Sequence, residues 1–323
     1  MPKCMICMQD YDQQDFCPFC GAPKEPKPLD MGQIPEETIL NRRFIIGEVV
    51  NVDRIGFLYN AWDALLERKV LIKEWYPKGL TARGEDHLKA DPEMNPDLWE
   101  ELCRQFSMQA ERLHKLQDLP ILLPIYMVFQ ENNTVYYVME YQAGTTLREM
   151  LQRENPMPPK KAEGIMNGVR EALAFLKKQN LVHGNLTPDN IFFSENGEIK
   201  FLNLAWFSKE METIRYTVFQ GRYAPPAYSQ LPLHLDEAID EYSLNAIFYR
   251  LLSGEEPVAA VNRRKKEKMY SISELGISVP AALEKKIMKG LGMKGGKGLL
   301  RFFQGLNGVL VLAAVILGVM IFV

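Results

Sequence analysis

Residues 183–193 read HGNLTPDNIFF and stand between two segments with helical periodicity, 159–180 and 236–253. The pattern before residue 143 is different. FIIGEVV at 44–50, FLYNAW at 57–62, KVLIKEW at 69–75 and TVYYVMEY at 134–141 are apolar or β-branched runs with strand character. A helical stretch, Asp97 to Leu116, interrupts them. Its Leu98, Leu102, Phe106, Ala110 and Leu113 recur every three to four residues and so share one buried face. A strand-rich part with a single helix, followed by a helical part, predicts an α+β protein of two lobes.

Further motifs flank the 183–193 stretch in a definite order. They are VLIKEWYP at 70–77, GEIKFLNLAWF at 197–207, GRYAPPAYS at 221–229 and DEYSLNAIFYRLLSGEEP at 240–257. Taken together, these segments resemble bacterial Ser/Thr protein kinases. VLIKEWYP is similar to their strand-three lysine motif and HGNLTPDNIFF to their catalytic loop. The other three are similar to the metal-binding DFG segment, the end of the activation segment and the central helix. The resemblance spans residues 40–293 and implies a two-lobed protein-kinase-like fold, with an N-lobe at 40–141 and a C-lobe at 142–293.

Phosphoryl transfer in that family is positioning plus charge neutralisation. The positions that should supply it are altered here. The Gly-rich phosphate loop falls on Asn51, Asp53 and Gly56, so two glycines are lost and Asp53 adds a charge expected to repel a triphosphate. Lys73 is retained, with either a structural bond or a residual nucleotide role. Its helix partner Glu is Gln109, while Glu111 is two positions off and faces another side. Leu71 replaces a small residue at the adenine roof and should crowd a base. The general-base Asp becomes Asn185, whose carboxamide accepts no proton at neutral pH. Thr187 stands for the catalytic-loop Lys. Of the metal ligands Asn190 remains, but the DFG Asp is Asn203, so magnesium is not expected. Gly184 replaces the Arg that pairs with a phosphorylated loop. Ala227 replaces the Glu that closes the activation segment, and its late Arg partner falls in KGGKG at 294–298. His183 is expected to pack and hydrogen-bond, Asp240 to anchor the loop from below, and Met139 and Cys103 to be core residues.

Cys4, Cys7, Cys17 and Cys20 form CMIC-x9-CPFC, two knuckles that can present four thiolates to a structural zinc. A zinc ribbon at 1–22 is therefore expected, followed by a Pro-rich linker at 23–39. Lys3 is the one Lys or Arg of residues 1–22, against Asp10, Asp12 and Asp15, so nucleic acid is an unfavoured partner. At the other end, residues 305–323 read GLNGVLVLAAVILGVMIFV. A helix of this length spans ~28 Å, enough for a bilayer core. Between Arg263 and Arg301 there are 11 Lys/Arg against 3 Asp/Glu, in a chain of net charge −3. This collar, which includes a basic linker at 294–304, would meet anionic headgroups and place the bulk of the chain on the cytoplasmic side of the cell membrane. MPKCMICMQD has no apolar signal-peptide core. The composition, 47% hydrophobic and 24% charged, excludes a disordered chain, a collagen-like repeat or a disulfide miniprotein.

These features imply a membrane-anchored pseudokinase that acts as a signalling scaffold or allosteric partner of another protein. One alternative is an ATP-binding sensor or weak, unconventional kinase using Lys73, Asn190 and Gly56. Another is a zinc-ribbon module that binds nucleic acid or protein.

Overall fold

The computed structural model describes residues 2–12, 15–23, 32–205, 214, 221–229, 236–264 and 268–293. The expected membrane segment 305–323 and the linker 294–304 lie outside the described residues. Among the described residues no helix is long and apolar enough to cross a membrane.

The N-terminal lobe is an antiparallel sheet with a helix packed on it. Its strands are β1 (Ile39–Leu40), β2 (Phe44–Val52), β3 (Phe57–Asp63), β4 (Arg68–Glu74), β7 (Ile125–Glu131) and β8 (Thr134–Glu140), in the order β1-β2-β3-β4-β8-β7. A small hairpin, β5 (Thr81–Arg83) with β6 (Ala90–Pro92), stands beside it. Helix α1 (Pro96–His114) begins where the Asn95 side chain accepts the N–H groups of Asp97 and Leu98. Its Trp99, Leu102, Phe106 and Ala110 are buried against Trp75 and Tyr137 of the sheet core. The periodicity predicted this helix. It did not reveal β7, because Pro120 and Pro124 break the apolar run before it.

The C-terminal lobe follows β9 (Gly144–Thr146). It contains α2 (Leu147–Arg153), α3 (Pro159–Lys178), β10 (Ile191–Ser194), β11 (Ile199–Phe201), α4 (Glu237–Ser253), α5 (Ala260–Arg264) and α6 (Ala281–Gly290). Helix α4 is enclosed on nearly every side, with residues 242–249 all buried. It is the axis on which α3 and α6 pack, through Leu244, Ile247, Phe248 and Leu251. Asp236 caps its start, and Gly254, at φ 73°, ends it in the left-handed conformation.

The Pro-rich linker is shorter than its composition predicts. Residues 24–31 lie outside the described residues, but from Gly32 the chain is already part of the N-lobe. Ile34 is buried, and its N–H donates to Tyr59 Oη at 3.1 Å. This docking depends on Glu74, which is fully buried. Its carboxylate accepts from Tyr59 Oη at 2.7 Å, from Tyr136 Oη at 3.0 Å and from Arg83 at 2.9 Å. Arg83 also donates to the Gly32 carbonyl at 2.9 Å. Removing one member of a buried pair leaves the other charge desolvated. Arg83→Met should therefore lower the unfolding free energy by about 3–5 kcal/mol, read from denaturant midpoints, whereas truncating the exposed Leu65 should change it by less than about 0.5 kcal/mol.

Candidate functional site

Strand β4 carries Lys73 into the space between the sheet and α1, paired in register with Leu58 of β3 and Tyr137 of β8. The lysine side chain is 1% exposed, and Nζ donates to Asp53 Oδ2 at 2.9 Å. The other carboxylate oxygen accepts the backbone N–H groups of Ile55 at 2.8 Å and Gly56 at 2.9 Å. One carboxylate thus collects an ammonium and two backbone donors, the groups that an anionic phosphate would seek. Asp53 was expected to act as a bare repelling charge. It is instead the internal anion that neutralises Lys73. The loop around it lies against the end of β4. Ile55 O accepts from Tyr76 N at 2.8 Å, and a Cβ on Gly56 would meet Glu74 O at 2.0 Å. Gly56 therefore serves close backbone packing. Asn51 points the other way, with Nδ2 at 3.5 Å from the Asp189 carbonyl of the C-lobe.

Behind Lys73 there is almost no room. The hollow that Gln109 and Asn203 share with Lys73, Ile55, Phe106 and Tyr137 holds 10 Å³, at most one water. Glu111 is exposed on another face of α1. Toward the outer edge of the cleft the space widens to 270 Å³ between Leu58 and Leu71 above and Phe192 and Leu202 below. Leu71 lines this hollow and does not fill it, contrary to the crowding expected from its bulk.

Three amides stand at the base and metal positions. Asn185 Nδ2 donates to the Asn203 carbonyl at 3.2 Å, Asn190 Nδ2 to the Asn185 carbonyl at 2.8 Å, and Asn203 Nδ2 to Asn190 Oδ1 at 2.9 Å. The ring of donors closes on itself. Asn203 sits at φ 53°, a left-handed conformation that Asn tolerates. The one side-chain oxygen that could ligate a cation from Asn190 already accepts a hydrogen bond, and no member carries charge. This is a poor donor set for magnesium.

In front of Asn185 lies an open hollow of 510 Å³, also lined by Thr187. Its carboxylates are Asp53, Asp189 and Glu256. Each is engaged: Asp53 with Lys73, Asp189 with Arg148 at 3.1 Å and Glu256 with Arg148 at 2.7 Å. Burial would raise the Glu256 carboxyl, but the Tyr223 hydroxyl and Arg148 hold it below its ordinary value. Sequence reasoning missed the Asp53–Lys73 and Arg148 pairings, because residues tens of positions apart give no local signal of contact.

Beneath the loop, Asp240 accepts the backbone N–H groups of His183 and Gly184, each at 2.8 Å. Gly184 takes φ 70° to present its N–H. Burial pushes the Asp240 carboxyl up to about 6, against those two hydrogen bonds. His183 is fully buried, stacks edge-on against Phe201, and is pushed down to about 3 by burial, so its imidazole is neutral. Ala227 lies in the short 3₁₀ turn Pro226–Ser229, and the KGGKG segment 294–298 lies outside the described residues.

At the N-terminus the four cysteine Sγ atoms lie within 4.8 Å of one another, and Cys4–Cys20 and Cys7–Cys17 are each 3.6 Å apart. A tetrahedron with Zn–S near 2.3 Å has an edge of ~3.8 Å, so the thiols fit a metal ion. The two knuckles repeat one pattern: Met8 N donates to Cys4 O and Gly21 N to Cys17 O, both at 2.8 Å. Lys3 is bound to Asp10 at 2.7 Å and lies over the Trp62 ring, so it is not presented to a phosphate.

Two outcomes follow from this geometry. Asp53→Gly strips Lys73 of its buried partner, so the variant should unfold at a lower temperature than the parent. An ATP phosphate could then replace the carboxylate. Thermal shift should show up to ~2.7 kcal/mol of stabilisation at a hundred times Kd in the variant and a smaller response in the parent. His183, depressed in the folded state, contributes stability that is present above the unfolded pKa near 6.5 and is lost as the pH falls toward about 3. His183→Gln should therefore be less stable than the parent at pH 7, by a margin that shrinks on acidification from 6.5 to 4 in urea titrations.

The protein kinase domain model matches residues 94–289. The chain is 26% identical over 260 residues to the serine/threonine-protein kinase PrkC of Bacillus subtilis, an alignment covering 77% of this chain and 37% of PrkC. It is 24% identical over 268 residues to the serine/threonine-protein kinase PknB of Mycolicibacterium smegmatis, covering 78% of this chain and 40% of PknB. It thus spans about two fifths of the length of these relatives. Among solved structures, the apo form of PpkA-294 superposes with a TM-score of 0.63 at 23% identity, over 82% of this chain and 94% of that one, which supports the fold. The chain belongs to the protein kinase domain family.

Proposed function

We propose that this protein is a pseudokinase: a kinase-fold scaffold or allosteric partner in signalling that does not transfer phosphate efficiently. The observation that carries this reading is the closed ring of Asn185, Asn190 and Asn203 where a base and two metal ligands are needed. General-base assistance is worth ~10²–10⁴ in rate, and loss of the metal removes the charge that phosphoryl transfer relies on. The pairing of Lys73 with Asp53 supports the same reading, since the phosphate-gripping cation already has an anion.

A second reading, a weak kinase or ATP sensor, is favoured by the retained Lys73 and by the kinase activity that the names of PrkC and PknB state for those proteins. A phosphotransfer assay with labelled ATP on the full chain separates the two. The expected result is incorporation no higher than that of Lys73→Met. Robust turnover that Lys73→Met abolishes would overturn the pseudokinase reading.

The Cys4, Cys7, Cys17 and Cys20 set is read as a structural zinc site, because all four positions of the tetrahedron come from the protein. Residues 305–323 are read as a membrane anchor with the basic collar on the anionic cytoplasmic face, on hydropathy and charge alone. The function is then exerted beside a membrane through a protein partner and not through nucleic acid.

A further inference from the structure

The two cysteine knuckles differ at the residue that ends each turn in the left-handed conformation. In the second it is Gly21, at φ 72°, and a Cβ there would meet nothing. In the first it is Met8, at φ 61°, a conformation that strains a residue with a Cβ. The Met8 side chain is packed away against the kinase lobe. The residue is 1% exposed, and its Cε lies 2.1 Å from where a Cβ on Gly47 of β2 would stand. Strand β2 is irregular at the same point. Between the pairs Ile46–Ala61 and Val49–Tyr59 it has one residue more than β3, a bulge at Gly47 and Glu48. The Glu48 N–H donates to Met5 O at 2.9 Å. Ile6 O accepts from Asn60 Nδ2 of β3 at 3.0 Å and from Lys69 Nζ of β4 at 3.1 Å. The first knuckle therefore spans three neighbouring strands. One residue past its end, β2 delivers Asp53 to Lys73.

We propose that the metal-held first knuckle is a clamp on the β2 bulge, so that zinc occupancy and the Asp53–Lys73 contact are coupled. The metal-loaded chain keeps Asp53 on Lys73, and metal loss releases the loop. The coupling follows from what holds each part. Without the metal, the CxxC turn loses the bonds that keep it closed, and nothing fixes Met8 in its strained conformation. The knuckle then leaves Gly47, the Glu48 N–H loses its acceptor, and β2 is free to close the bulge. A one-residue slip turns every following side chain to the other face and takes Asp53 away from Lys73. The choice of Met8 supports a clamp over a plain zinc turn, since glycine serves the turn better, as it does at Gly21. Reciprocity then requires the Asp53–Lys73 contact to raise zinc affinity by the same factor that zinc stabilises the contact.

The proposal rests on the zinc reading, and the test separates the two. The full chain is prepared with zinc and after chelation, and its metal content is measured. Hydrogen exchange is followed at Glu48 and at Ile55 and Gly56, whose N–H groups Asp53 accepts. After chelation all three amides should exchange at least roughly fivefold faster. Met8→Gly should keep its zinc, because glycine relaxes the turn, but exchange these amides as the chelated protein does. Gly47→Ala, which leaves the ribbon sequence intact, should do the same. Asp53→Gly, with all four cysteines in place, should bind zinc at least roughly fivefold more weakly in competition with a chelator. A chain that holds no stoichiometric zinc overturns the zinc reading and this proposal with it. Stoichiometric zinc with Ile55 and Gly56 exchange unchanged by chelation or by Met8→Gly, or with zinc affinity unchanged by Asp53→Gly, overturns the clamp alone.

Discussion

The contact between Asp53 and Lys73 organises the rest of the cleft. A lysine that is 1% exposed must have an anion, because an unpaired buried ammonium is too costly. In an active kinase cleft a nucleotide and a helix carboxylate can share that task. Here the helix offers Gln109, and the loop supplies Asp53. Once the carboxylate turns inward it also takes the Ile55 and Gly56 N–H groups. The loop then rests on β4, the space behind Lys73 shrinks to 10 Å³, and the cleft is stable without a triphosphate.

The amides at the base and metal positions form a consistent set. Had only Asn203 replaced an acid, a neighbouring carboxylate could still have drawn a cation. With Asn185, Asn190 and Asn203 together, each side-chain NH2 donates within the group, two to backbone carbonyls and one to Asn190 Oδ1, and no member carries a charge. The same balance holds in the open hollow in front, where Arg148 binds both Asp189 and Glu256. Charges that would otherwise be available for chemistry are used to hold elements together. The apolar framework of the C-lobe packs around α4 without drawing on these polar groups.

Much of the architecture was legible in the chain. The three-to-four-residue periodicity of α1, the strand character of β2, β3, β4 and β8, and the helical run of α4 are local patterns, and local patterns are what sequence reports. Strand β7 and the β5–β6 hairpin were missed, the first behind prolines and the second because three-residue strands carry too little pattern. The 23–39 linker was overestimated because proline content says nothing of Ile34, whose burial depends on Tyr59 and Glu74 elsewhere in the chain.

By itself, the sequence determined which chemical groups are present: four cysteines at knuckle spacing, a lysine in VLIKEW, and asparagines in place of acids. Residue identity sets charge, basicity and ligating power wherever the chain runs. Only the tertiary structure decided how those groups are spent. It turned Asp53 from a repelling charge into the partner of Lys73, closed the three asparagines into a ring, left room beside Leu71, and set the Cys4–Cys7 knuckle against β2 and β3. Each of these depends on distances between residues far apart in sequence, and such distances are fixed by packing and not by local pattern.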